Sequence, residues 1–197
     1  MVLEDTAVRE TVAERRKVAP TKLAHIVFRT AAKQPMLDWY REVLDGEIVF
    51  DNAFIGFITY DDEHHRVAVI QMPDIATPER VGPGLHHIAF TYANLDDLLH
   101  TYERLRESGI KPAWCINHGP TTSMYYSDPD DNKVELQIDN FPSMAEATAW
   151  LHSPAFAENP IGVDFDPEKL LADYRRGVPE AELKKRPNIG PRGLPPR

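Results

Sequence analysis

A single cysteine, Cys115, stands in the chain of 197 residues, so neither an intrachain disulfide nor a paired-cysteine metal site can form. A reducing compartment, the cytoplasm, is therefore expected. Positive charge is also scarce: 22 Lys and Arg against 31 Asp and Glu leave a net charge of −9. No lysine- or arginine-rich face precedes the tail, which argues against a nucleic-acid partner. No apolar run is long enough to span a bilayer, and the opening MVLEDTAVRETVAERRKVAP has no apolar h-region, so neither a membrane span nor a signal peptide is expected. What is present, 42% apolar and 27% charged residues, is the balance of a soluble globular domain.

The middle of the chain repeats itself. LAHIVFRT (23–30) resembles LHHIAFTY (85–92), and each is followed by an amphipathic helical pattern. The first carries Met36, Leu37, Tyr40, Val43 and Leu44 on one face; the second carries Leu95, Leu98, Leu99, Tyr102 and Leu105. Gly46 and Gly109 sit where these helices should stop. Three short apolar or alternating segments follow each helix, near EIVF, FIGFITY and RVAVIQM in one half and PAWCI, TSMYYS and KVELQI in the other. The predicted fold is α+β. Two tandem βαβββ modules, 21–80 and 81–142, make one domain over 21–142, and their bare sheet faces form a shared, metal-containing cup. An N-terminal arm (1–20) precedes it and a helical and irregular C-terminal extension (143–197) follows. Helices are predicted near 143–153 and 166–177, and the closing RPNIGPRGLPPR reads as a tail that does not pack.

Strand alternation sorts the adjacent histidines of GLHHIAF. Only one of His86 and His87 can face a given side. The repeat aligns His87 with His25, and His86 with Ala24. In NKVELQID, Val134, Leu136 and Ile138 suit the helix-covered face, so Glu135 points into the cup. An uncompensated carboxylate there would cost several kcal/mol, on the order of the burial penalty for a polar group, and a cation removes that cost. Two neutral imidazoles and one carboxylate form a facial triad with open positions, the set suited to non-haem Fe(II), with Mn(II) or Zn(II) able to take similar ligands.

The repeated unit and its His25, His87 and Glu135 resemble the vicinal oxygen chelate superfamily, which includes glyoxalase I, extradiol dioxygenases and antibiotic-resistance proteins. NHGPTTSMYYSDPDDNKVELQIDNF resembles the one-domain type I extradiol dioxygenases that act on biphenyl-2,3-diol and other catechols. The resemblance implies Fe(II), or Mn(II), held by His25, His87 and Glu135. It implies an acid–base histidine at His65, with His64 a close competitor, a hydrogen-bonding tyrosine at Tyr125 and a second supporting histidine at His118. Glyoxalase I carries a fourth ligand where this chain has Ala68, which favours open coordination sites and the cleavage of an aromatic diol by O2. The resemblance also favours a homo-oligomer. A glyoxalase-like isomerase, lyase or thiol transferase and a binding protein for aromatic ligands are the competing readings. Trp114, Phe54, Phe57 and Phe141 are candidates for the substrate wall.

Overall fold

The structure, a computed structural model, describes residues 18–76 and 83–193. The expected N-terminal arm lies outside the described residues as far as position 17. The first module runs β1 (Ile26–Thr30), α1 (Lys33–Val43), β2 (Glu47–Asp51), β3 (Ile55–Thr59) and β4 (Val67–Gln71). The second runs β5 (His87–Thr91), α2 (Leu95–Glu107), β6 (Trp114–Asn117), β7 (Thr121–Ser127) and β8 (Lys133–Asp139). The two sheets share one plan, β1-β4-β3-β2 and β5-β8-β7-β6, with the first strand of each parallel to the last. The extension adds α3 (Met144–Leu151), α4 (Pro154–Glu158), β9 (Val163–Asp164), α5 (Pro167–Arg175) and α6 (Glu180–Leu183).

The helices form where the apolar spacing predicts. All ten residues named above for the two helix faces are buried, and they join Val67, Val69, Val134, Leu136 and Ile138 in one continuous core. α2 starts at Asn94, whose side chain accepts from the Asp97 N–H at 2.8 Å. α1 has no side-chain cap of its own. The side chain of Gln71, on β4, takes that place by accepting from the Lys33 N–H at 2.9 Å. The end of α1 differs from expectation. Asp45, not Gly46, takes the left-handed conformation (φ 49°). Gly46 is needed for space instead, since a Cβ there would lie 2.7 Å from the Thr59 carbonyl oxygen.

The extension is tied down more firmly than its composition predicts. β9 pairs antiparallel with β6, setting Ile116 opposite Asp164 and Asn117 opposite Val163. Arg186 and Arg192, read above as parts of a non-packing tail, donate to the carbonyls of Ala155, Asn159 and Gly162. A proline- and glycine-rich sequence forms little regular structure of its own, yet its arginines find backbone acceptors on the helices and loops beside it.

Candidate active site

The second module supplies most of the site. β7 and β8 pair so that Tyr125 lies directly across from Glu135. Glu135 is 4% exposed, although its helix-side neighbours Val134 and Leu136 face the other way. His87, the first residue of β5, places Nε2 3.0 Å from Glu135 Oε2. Its Nδ1 lies 2.7 Å from Nδ1 of His86, which is exposed at the strand entrance. The His87 ring stands edge-on to Tyr125, with centroids 5.3 Å apart. Tyr125 OH is 3.0 Å from His118 Nε2, and Trp114 stacks on the tyrosine ring at 5.0 Å. Burial, reinforced by the charge of Glu135 and by a hydrogen bond to that carboxylate, pushes the Tyr125 hydroxyl well above the usual phenol range, so the tyrosine keeps its proton.

The first module supplies a second cluster. His25 sits just before β1, with its ring 4.5 Å from that of His65. His65 is buried and is stacked on Phe57 at 4.4 Å, and its Nδ1 has no hydrogen-bond partner among the described residues. Burial, helped by the nearby imidazoles of His64 and His25, lowers the His65 pKa and favours a neutral ring. His64 points the other way: it is mostly exposed, with Nδ1 2.8 Å from Glu63 Oε1. Of the adjacent pair, His65 is thus the one turned inward.

The six predicted site residues therefore fall into two groups. His87, Glu135, Tyr125 and His118 come together, while His25 and His65 pair elsewhere. Among the described residues, no group of three or more His, Cys, Asp or Glu side chains converges on one point. The His87–Glu135 pair does fit a metal. With bonds of about 2.1 Å, neighbouring ligands of a six-coordinate ion stand about 3 Å apart. A buried carboxylate with only an imidazole and a phenol near it also has the charge a cation would offset. The third ligand, however, is not brought to that pair within one chain. Ala68, 2% exposed beside Val27, offers no donor where a fourth ligand would stand.

The aromatic candidates divide in the same way. Phe57 and Trp114 line the two clusters. Phe54 is 75% exposed, and Phe141 tilts against Trp150 of the extension at 6.2 Å. Sequence reasoning did not name the residues through which the extension reaches the site. The Ile161 carbonyl oxygen lies 2.5 Å from His118 Nδ1, and Asp164 Oδ1 accepts from Trp114 Nε1–H at 2.8 Å. A backbone carbonyl carries no residue-type signal, so nothing in the sequence pointed to the first of these.

Known proteins resemble the chain in sequence and in fold. The sequence model described as the Glyoxalase/Bleomycin resistance protein/Dioxygenase superfamily matches residues 22–136. Biphenyl-2,3-diol 1,2-dioxygenase 2 of Rhodococcus globerulus is 47% identical over 162 residues, 82% of this chain and 85% of that protein. Biphenyl-2,3-diol 1,2-dioxygenase 3 of the same organism is 45% identical over 167 residues, 84% of this chain and 88% of that protein. Among solved structures, a glyoxylase/bleomycin resistance protein/dioxygenase domain from Frankia sp. EAN1pec superposes with a TM-score of 0.52 at 16% identity. That match covers 64% of this chain and 96% of that one, and it is a likeness of fold alone.

Proposed function

Because the chain belongs to the Glyoxalase/Bleomycin resistance protein/Dioxygenase superfamily, we propose that it is an extradiol dioxygenase that opens the ring of a catechol-type diol, such as biphenyl-2,3-diol, with O2. The observation that carries this reading is the buried Glu135, paired with His87 and faced by Tyr125, in a chain 47% identical to a biphenyl-2,3-diol dioxygenase. The lack of a donor at Ala68 disfavours a glyoxalase-like four-ligand site, and the His87–Glu135 pair has no purpose in a simple aromatic-binding cup.

The metal, Fe(II) on this reading with Mn(II) as a substitute, would supply a template that holds diol and O2 side by side and passes electron density between them. Everything else falls to the chain. His87 and Glu135 would hold the ion, and His25 of a second copy would complete the set. Each sheet ends on its first strand, β1 or β5. The residues around them, Leu23, Val27 and Leu85, are 73%, 50% and 77% exposed, apolar surface that a second copy would cover. Tyr125 hydrogen-bonds a diol oxygen. His65, neutral and with a bare Nδ1 in an aromatic environment, is suited to take a proton from the substrate side and return it after ring opening. Trp114 and Phe57 offer flat apolar walls to the ring.

The test is anaerobic purification, loading with Fe(II), and exposure to 2,3-dihydroxybiphenyl, catechol and 3-methylcatechol. Oxygen uptake with a yellow ring-opened product supports the reading. Full iron loading without uptake on any of the three rejects it.

A further inference from the structure

The C-terminal extension touches the site at two points, and both lead to Tyr125. Ile161 presents its carbonyl to His118 Nδ1, and His118 Nε2 faces the Tyr125 hydroxyl. Asp164 holds the indole of Trp114, which stacks on the Tyr125 ring. These contacts are built. Asn159, only 3% exposed, accepts from the N–H groups of Ile161 and Gly162 through Oδ1 and donates to the Gly162 carbonyl through Nδ2. Arg186 bridges the Ala155 and Asn159 carbonyls while its guanidinium lies 4.6 Å from the Trp150 ring centre. Arg192 clamps both Gly162 and Asp164. Gly162 itself is at φ +122°, and a Cβ there would come within 2.4 Å of the Asn117 carbonyl oxygen and 2.9 Å of His118 Cα. Only glycine lets this strand of chain press so closely against His118.

The contact has a definite chemical consequence. A carbonyl oxygen can only accept, so Nδ1 of His118 must carry a proton. In the neutral ring Nε2 is then bare and accepts from the Tyr125 O–H. An unbraced imidazole with its proton on Nε2 would donate to the tyrosine oxygen instead. The tyrosine proton would then be left to its cross-strand neighbour Glu135, with which the hydroxyl also hydrogen-bonds.

We propose that the extension is a positioning element of the site: through the Ile161 carbonyl, held by Asn159, Gly162, Arg186 and Arg192, it fixes His118 as the Nδ1–H tautomer and so sets a bare Nε2 against the Tyr125 hydroxyl. On the reading of Tyr125 as a residue that hydrogen-bonds a diol oxygen, on which this inference rests, that bare Nε2 sets how the tyrosine meets the diol. His118, Ile161 and the two arginines act through Tyr125 and are positioning residues.

The direct readout is the tautomer, measured on the full-length, metal-free protein by long-range proton–nitrogen NMR of the imidazoles above their titration range, with His118→Asn used to assign the signal. The wild type should show a protonated Nδ1 and a bare Nε2 at His118. Gly162→Ala should shift the ring toward the Nε2–H form. In the iron-loaded enzyme it should lower kcat about tenfold or more while KM moves little, the scale on which outer-shell orientation acts. Should Gly162→Ala not fold, Arg186→Gln supplies the same comparison, with Arg186→Lys expected to recover part of the wild-type signature. A wild-type His118 protonated on Nε2, or a folded variant with an unmoved tautomer, overturns the proposal. Absence of oxygen uptake by the wild type would instead strike at the dioxygenase reading and leave the tautomer result standing.

Discussion

The Tyr40 hydroxyl of α1 lies 3.0 Å from Oδ2 of Asp128, joining the helix of the first module to the β7–β8 turn of the second. Both side chains are buried. Asp128 also accepts from the backbone N–H groups of Asp130 and Asn132 at 2.9 and 2.8 Å and from the Asn132 side chain at 2.7 Å. One carboxylate thus shapes the turn that starts β8, the strand carrying Glu135, and also fastens it to the neighbouring module.

Removing this link should loosen both modules. Tyr40→Phe is expected to cost about 1 kcal/mol, the net worth of one buried hydrogen bond. Asp128→Ala should cost about 3 kcal/mol, because it strands several donors at once. Denaturant midpoints for the two variants and their double mutant should reveal a coupling of about 1 kcal/mol. Strict additivity would mean that the hydroxyl and the carboxylate act independently.

A site shared between copies makes a sharp prediction about mixing. His25→Ala and Glu135→Ala should each be inactive alone. Unfolded together and refolded at equal amounts, they should regain about a quarter of wild-type activity, since half the dimers are mixed and each of those has one intact site of two. Sedimentation should show the dimer. Two dead variants that stay dead on mixing, with mixed dimers demonstrated, would place His25 in the same chain's site or outside it altogether.

Metal should stabilise the fold through Glu135. At free Fe(II) a hundred times its Kd, binding to the native state alone adds about 2.7 kcal/mol. Anaerobic thermal unfolding of the wild type should therefore move upward with iron and return on chelation. Glu135→Gln, which keeps the shape but loses the charge, should fold without iron and show little upward movement with it.

Acid should release the extension late. Burial alone would raise the Asp164 pKa, but hydrogen bonds from Arg192 and Trp114 outweigh it and hold the carboxyl below its usual range. A carboxyl depressed in the folded state adds stability that is complete above its unfolded pKa, about 3.9, and lost as pH falls through the folded value. The indole N–H signal of Trp114 should hence stay put from pH 7 down to about 4 and shift only below that. Asp164→Asn should remove this acid transition. A shift already complete at pH 5 contradicts the assigned pairing.

Much of this arrangement was legible because duplication wrote it twice. The helix faces, the strand order and the inward phase of Glu135 all follow from periodicity, and the repeat aligns His87, not His86, with His25. Local pattern also failed in instructive places. DDEHH has the composition of a turn and does not show that His65 within it is buried, because Phe57, a neighbour only after folding, stacks on it. The tail reads as unstructured because its proline and glycine forbid regular elements. Its arginines bind through carbonyl oxygens, which every residue possesses and no sequence pattern marks. The separation of His25 from the His87–Glu135 pair depends on how whole modules dock, which is set by long-range contacts such as Tyr40 with Asp128.

The extra strand β9 has one more consequence. It covers β6, the outer margin of the second sheet, while the outer margin of the first, β2, is interrupted by a bulge between Ile48 and Phe50. Both far margins are thus poor templates for adding another strand. Backbone pairing between molecules is then left to β1 and β5, the strands at the other end of each sheet.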